Sequence, residues 1–447
     1  MQIAFVTLLL GLTSGLYPIE VTVSGPVAAV EVVLDGAPAA RIAGPPWKTQ
    51  VDFGPGLSPH EMVARALDAE GNEVARAVQW VNLPRPPAEV GLLIERDPEG
   101  RPTAARLTWQ SLTGAEPAAI TLTFDGRELA VDAAGRAALP AHDPEVAHVL
   151  TAELVFSPTV SARRDVVFGG AWGSEVSTEL TAVPVRQRKR AKMPPPERLE
   201  GWFTAGGQPL SVAAVEEEEP ALVVVLRVPG ASEVYDKLDL GKKRWAPREM
   251  RFQLQTDLRY EMKLGKEDEV RFLSIGARSY QGTGVPSELF DMSRGFTAKD
   301  GGVAFLLSRV DFPGSPERRI ADAVAVAGLQ ALTGNRRRAV VLLLDGSAAD
   351  ASRYDAAAVR RYLESIRVPL LVWSLEGAKS PAAEAWGQVE DVSSLRKLYQ
   401  AVERLQGLLE EQRIVWVEGR HLPRAVALSP AASGVELLED PVGGAGR

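Results

Sequence analysis

Two hydrophobic periods divide this chain. From Tyr17 to about residue 84, apolar side chains fall at alternate positions in short runs: "IEVTVSG", "VEVVLDG", "WKTQVDFG" and "EMVARALDAEGNEVARAVQWV". Alternation of that kind lays one face of a strand on a core and leaves the other in water. Asp35-Gly36 and Glu70-Gly71-Asn72 punctuate the runs as hairpin turns, because these residues accept positive φ at small cost. The pattern predicts a β-sandwich over 17–85.

A second segment, 87–182, echoes the first. "ITLTFDGRELAVDAAG" repeats "VEVVLDGAPAARIAG", with Asp125-Gly126 in the place of Asp35-Gly36. His60 precedes "MVARALDAEGNEVAR" much as His148 precedes "LTAELVFSPTVSARRD", at an offset of about 90 residues in both comparisons. Tandem copies of one sandwich are the economical reading. Both resemble the bacterial immunoglobulin-like domains of surface and exported proteins.

From 201 to 419 the period changes. "ALVVVLRV", "EVRFLSIG", "RRAVVLLLDG" and "PLLVWSLEG" are continuous apolar runs, as strands covered on both faces are. Between them lie helical spacings: "SPERRIADAVAVAGLQAL", opened by Ser315-Pro316-Glu317 as cap and first turn, then "DAAAVRRYLESI" and "VSSLRKLYQAVERLQGLLEEQ". Strand and helix in alternation predict a doubly wound, mostly parallel sheet. The stretch "MRFQLQTDLRYEMKL", 250–264, alternates like a strand, but its composition favours helix, and a helix is expected. The fold class is thus multidomain: two immunoglobulin-like β-sandwiches followed by an α/β doubly wound domain.

The connections follow from composition. "VRQRKRAKMPPPERLEG" reads as an exposed linker over 183–200, with Pro194-Pro195-Pro196 as an extended strut and its basic run facing the acids Glu216 to Glu219. The end of the chain, 420–447, reads as a tail. At the start, the apolar stretch Ile3–Leu12 followed by Thr13-Ser14-Gly15 reads as a signal peptide over 1–16, with a first buried strand as the alternative. Export makes the expected location extracytoplasmic, periplasmic or secreted. No integral membrane span is expected, because the stretch is too short.

Charge and composition then remove whole classes of chemistry. A net charge of −8 gives no general attraction for nucleic acid, so none is expected as a partner. The absence of cysteine excludes disulfides, zinc-thiolate sites and thiol catalysis. "DAEGNE" misses the calcium-loop spacing, and "HEMVA" has Ala64 where a zinc-protease helix needs its second histidine. Neither a nucleophile elbow nor a phosphate-binding P-loop occurs.

The order of elements in the third segment, with "AVVLLLDGS" followed by "RYDAAAVRRYLESIRVPLLVWSLEG", resembles a von Willebrand factor A domain. Asp345-Gly346 matches that family's strand-ending Asp-Gly, and Val368-Pro369 its turn into the next strand. "DFPGSPERRIADAVAVAGLQAL" resembles its hydroxyl-bearing loop and following helix, and "LEEQRIVWVEG" its closing helix and last strand. Many members hold a divalent cation through Asp-x-Ser-x-Ser after the first strand, with a Thr and an Asp from later loops. Here the resemblance puts Arg227, Pro229 and Ala231 on the first motif, Ser315 on the Thr and Asp345 on the Asp.

Pro229 and Ala231 offer no side-chain donor to a cation that wants about six oxygens. A guanidinium about 4 Å from a dication would cost about 8 kcal/mol at an effective dielectric of about 20. The resemblance therefore implies a degenerate, metal-free site without cofactor, in which Arg227 takes the cation's place beside Asp345. Arg227, Ser315 and Asp345 are the expected binding residues, and no catalytic residue is expected. The expected function is a non-catalytic, exported interaction or scaffolding protein with a protein partner, two sandwiches spacing out the third domain. The alternatives are a cation-dependent adhesion module and an enzyme working at the C-terminal edge of the parallel sheet.

Overall fold

The computed structural model describes residues 2–438, apart from 8, 10, 85–87, 97–100, 112–115, 134, 145, 147, 158–159, 170–171, 178–179, 188–192, 218–219, 239–263, 266, 281–286, 298–311, 313–316, 348 and 378. The helix expected over 250–264 falls outside these residues but for Leu264. The chain forms two compact units. One holds Met1–Pro84, Thr181–Val417 and His421–Arg447, and the other holds Arg85–Leu180 with Glu418–Arg420.

The second unit is a sandwich. A five-stranded antiparallel sheet runs in the order Arg127–Leu129, Ala119–Phe124, His148–Ser157, Val160–Gly169, Trp172–Ser177. A three-stranded sheet, Arg136–Ala138, Pro102–Ser111, Ala88–Arg96, supplies the other layer. Leu107, Leu122, Leu150, Leu154 and Phe168 fill the space between.

The first unit opens with a second copy of that plan. One sheet runs Ala37–Ile42, Ala29–Leu34, His60–Leu67, Glu73–Val81, and the other Gln2–Phe5, Leu16–Ser24, Lys48–Asp52. Val30, Val32, Met62 and Ala64 turn inward at alternate positions, as the sequence requires. Asp35 and Gly36 hold φ of 50° and 80°, and Asp125 and Gly126 hold 48° and 77°, so both copies turn through the same primed hairpin.

The apolar stretch at the start of the sequence contributes a strand to the first sandwich. Gln2–Phe5 pairs antiparallel with Leu16–Ser24, and Ile3, Phe5 and Leu9 are buried in the sandwich core. Backbone beyond the strand is tied down as well: Asn82 accepts from Thr13 N at 2.7 Å and donates to Thr13 O at 2.9 Å.

A third β layer departs from the expected linker and tail. Leu180–Gln187 is a strand of the sheet Val212–Glu216, Gln412–Glu418, Leu180–Gln187, Val435–Leu437. Facing it is a small sheet, Gln208–Leu210, Phe203–Ala205, Val426–Leu428. Val185, Leu199, Phe203, Val415 and Val435 form its core. The prolines of the expected strut lead into a turn, Pro196–Arg198, flanked by buried Met193 and Leu199. Arg186 pairs with Glu411 at 2.8 Å rather than with the acidic run, whose Glu217 accepts from Met193 N.

The α/β layer is inserted between Val212–Glu216 and Gln412–Glu418. Its sheet runs Ser287–Met292, Glu269–Tyr280, Leu222–Arg227, Arg338–Leu344, Leu370–Ser374, Glu390–Asp391. All neighbours are parallel except Ser287–Met292 and the short Phe296–Thr297, both of which pair antiparallel with Glu269–Tyr280. Leu222 to Leu226 are each 0% exposed, which explains the lack of alternation. Val223 and Val225 share one core with Leu398, Val402 and Leu405 of the helix Leu395–Glu411, while Val224 and Leu226 share a second with Val324 of Ile320–Ala331 and Leu363 of Ala356–Ser365. Each such side chain contributes about 1.5–3 kcal/mol when fully buried.

The first sandwich packs on this layer instead of spacing it. Leu57 joins the core that contains Tyr362, and the Tyr362 hydroxyl donates to Asn82 O at 2.9 Å in the interior. Ser14 Oγ lies 3.1 Å from Tyr354 Oη, and Arg424 donates to Ser58 Oγ at 2.8 Å.

Candidate functional site

The chain enters the parallel sheet at Leu222–Arg227, adds Glu269–Tyr280 on one side and returns to add Arg338–Leu344 on the other. The order of strands therefore reverses between Leu222–Arg227 and Arg338–Leu344. A crevice opens beyond the carboxyl ends of strands at such a point, and ligands of α/β sheets bind there. Arg227 ends one of the two strands and Asp345 follows the other. Val228 N donates to Leu343 O at 2.9 Å, so the strand ends stay joined up to the crevice.

The guanidinium that meets Asp345 is not the one expected from the sequence. The Asp345 carboxylate takes its cation from Arg318, whose Nη1 donates to Oδ2 at 2.9 Å. Oδ1 accepts from Ser347 N at 2.8 Å, which closes a tight turn around the carboxylate. Asp345 is 9% exposed. The Arg227 guanidinium lies over the Phe272 ring instead, 5.7 Å from its centroid, a cation–π arrangement worth about 0.5–1 kcal/mol at a partly exposed site. Ser315 lies outside the described residues.

Sequence spacing gives no sign of Arg318, because Ser315-Pro316-Glu317 reads as a first helical turn and puts Arg318 within the helix. The helix begins later, at Ile320, with Arg319 at its N-cap and no side-chain cap of its own. Asp350 supplies the cap from the far side of the crevice: its carboxylate accepts from Ile320 N at 2.9 Å and Ala321 N at 3.1 Å. Ser352 Oγ accepts from Asp322 N. The free amide groups at a helix start attract an anion, and here the chain's own carboxylate meets that need.

Asp322 turns back across the same gap. It accepts from Arg353 N and Tyr354 N, and from the Arg319 guanidinium at 2.6 Å. Asp345, Asp350 and Asp322 are thus each hydrogen-bonded by groups of this chain. Among the described residues no group of three or more His, Asp or Glu side chains is arranged to hold a metal ion. Beside these acids lies a cleft of about 420 Å³, with Ser347, Asp350, Ser352, Arg353 and Tyr354 in its wall. Leu344, Ala382 and Trp386 complete the wall, so the cleft can offer a partner both hydrogen bonds and apolar contact.

The comparisons with known proteins add little to this geometry. No family matches the chain, and no curated protein matches it. Among solved structures it is similar to a von Willebrand factor type A protein from Catenulispora acidiphila, at 10% identity and a TM-score of 0.26 over 73% of each chain. Proximal thread matrix protein 1 of the mussel byssus matches at 13% identity and a TM-score of 0.27, over 44% of this chain and 50% of that one. Fibronectin(III)-like modules of Clostridium thermocellum CbhA match at 15% identity and a TM-score of 0.16, over 18% of this chain and 92% of theirs. Superpositions of that quality carry no argument, and the reading below rests on the chain's own residues.

Proposed function

We propose that this chain is a non-catalytic interaction protein whose α/β layer is a doubly wound domain of von Willebrand factor A type, meeting a protein partner without a bridging cation. The observation that carries the reading is the Arg318–Asp345 ion pair at the reversal point of the sheet. A guanidinium there supplies the positive charge that a bound dication would otherwise bring to this carboxylate. Further support comes from Asp350 and Asp322, whose carboxylates are engaged in capping and turn bonds instead of converging on a reacting centre.

The partner would be a protein segment with hydrogen-bonding groups for the Ser347–Tyr354 wall. An extracytoplasmic location belongs to the same proposal, and the mass of the N-terminus in protein recovered from its natural compartment tests it. The functional reading is tested by affinity purification of the full chain with and without EDTA. Partner retention unchanged by EDTA and reduced by Arg353→Glu supports the reading. Loss of the partner on chelation contradicts it and restores the cation-dependent alternative.

A further inference from the structure

The cleft of about 420 Å³ beside Asp350 divides its lining by burial. The buried part is apolar: Ile320, Leu344, Ala382 and Trp386 reach it from a helix start, a strand end and the helix Pro381–Trp386, and each is 4% exposed or less. The exposed part holds the charges, Asp350, Arg353 and Asp355. Apolar surface of this kind gains by being covered with an apolar side chain. A volume near the low end of the range of about 300–1,000 Å³ usual for small-molecule sites suits a few residues of an extended segment.

Both acids already have work within the chain. The Asp350 carboxylate accepts from Ile320 N, Ala321 N, Ser352 N and Ser352 Oγ. Asp355 accepts from Ala358 N at 2.6 Å as the cap of Ala356–Ser365. Each carboxylate therefore meets the positive end of a helix.

Arg353 differs from them. Its backbone N–H donates to the Asp322 carboxylate, at 3.1 and 3.0 Å from the two oxygens, which fixes the residue in place. Its guanidinium lies over the Tyr354 ring, 5.5 Å from the centroid. The residue is exposed, and among the described residues its side chain has neither an ion pair nor a hydrogen bond. A ring contact engages no hydrogen-bond acceptor, so the fork of N–H groups stays available. That fork matches the two oxygens of a carboxylate.

We propose that this cleft receives a partner segment in which an apolar residue stands beside an acidic one, an inference that rests on the interaction reading above. The apolar side chain covers Leu344, Ala382 and Trp386, and the carboxylate pairs with Arg353. A basic segment would meet the Arg353 charge and find Asp350 and Asp355 engaged at their helix starts. Charge complementarity at an exposed rim sets the choice of partner more than the affinity. The apolar contact thus supplies most of the binding, and Arg353 the selectivity.

Selection of a random dodecapeptide phage library on the immobilised full chain, followed by titration of the enriched sequence as a synthetic peptide, tests the proposal. Two variants are read alongside: Arg353→Glu, and Ala385→Trp, which builds a large side chain into the cleft from an exposed position. Each is first checked for an unchanged unfolding transition. The enriched sequences are expected to carry Asp or Glu beside Leu, Ile, Met or Phe, and the peptide to bind each variant about tenfold more weakly. Replacing the peptide's acid by Lys is expected to weaken binding to the unaltered chain and to restore it to Arg353→Glu. Three results overturn the proposal: no shared sequence among the selected peptides, a basic residue in the place of the acid, or undiminished binding by both variants. The interaction reading is judged separately, by retention of the natural partner in EDTA, so failure of the one is told apart from failure of the other.

Discussion

Arg318 Nη1 donates to Asp345 Oδ2 at 2.9 Å across the crevice where the strand order of the parallel sheet reverses. The pair is asymmetric: the aspartate side chain is 12% exposed and the arginine 42%. Partial exposure keeps its net energy to about 1 kcal/mol or less, while its position governs what else can approach the carboxylate. Arg318→Gln is therefore expected to lower stability by about 1 kcal/mol or less in urea unfolding. A loss several times larger would mean that the pair holds the fold together rather than occupying a binding edge.

Asp350 carries more of the local stability. It meets two free amides at the start of Ile320–Ala331, a helix packed into the sheet. Asp350→Ala is expected to cost about 1–2 kcal/mol, in the range of lost N-caps, and Asp350→Asn about half of that or less. Denaturant midpoints of the two variants check the ordering.

The sandwiches share a device that responds to pH in the second copy. His148 Nδ1 lies 2.7 Å from Asp125 Oδ2 and its Nε2 lies 2.9 Å from Asp143 O, just as His60 faces Asp35 and Phe53 O. Carboxylate and carbonyl both accept, so the doubly protonated ring satisfies both contacts of His148. Burial opposes the charge on His148, but the bonds to Asp125 and Asp143 outweigh it and raise the pKa above 6.5. Asp125 is likewise penalised by burial, yet its bonds from Val149 N and His148 hold it below 3.8. The histidine's contribution is complete below 6.5 and is lost as pH rises through the raised value. That of Asp125 is complete above 3.8 and is lost as pH falls through the lowered value. The second unit is expected to melt higher at about pH 5 than at about pH 8, with the difference reduced in His148→Gln.

Phe5 is 7% exposed in the core of the first sandwich. Phe5→Ala is expected to destabilise the chain by about 3–5 kcal/mol, the usual range for a buried aromatic. An unchanged thermal transition would mean that residues 2–5 are not part of the folded core.

Much of the fold was legible because burial leaves a pattern. Leu222 to Leu226 announced a strand covered on both faces, and Leu398, Val402 and Leu405 a helix with one buried stripe. The repeat was legible in Asp35-Gly36 and Asp125-Gly126, whose positive φ restricts the residues that fit. The third β layer was not, because its strands come from both sides of the inserted α/β layer. Val185 meets Leu437 some 250 residues away in sequence, and no local period records that pairing. The crevice was half legible. Asp345 could be found from the end of its strand, but Arg318 and Asp350 act across a gap between loops, where spacing carries no signal.

The central claim is that the Asp345 edge works without a metal ion. Titration of the full chain with Mn²⁺, followed by calorimetry and by the paramagnetic relaxation of water, tests it most directly. No saturable binding is expected, with Asp345→Asn giving the same baseline as the unaltered chain. A saturable Mn²⁺ site that disappears in Asp345→Asn would contradict the account.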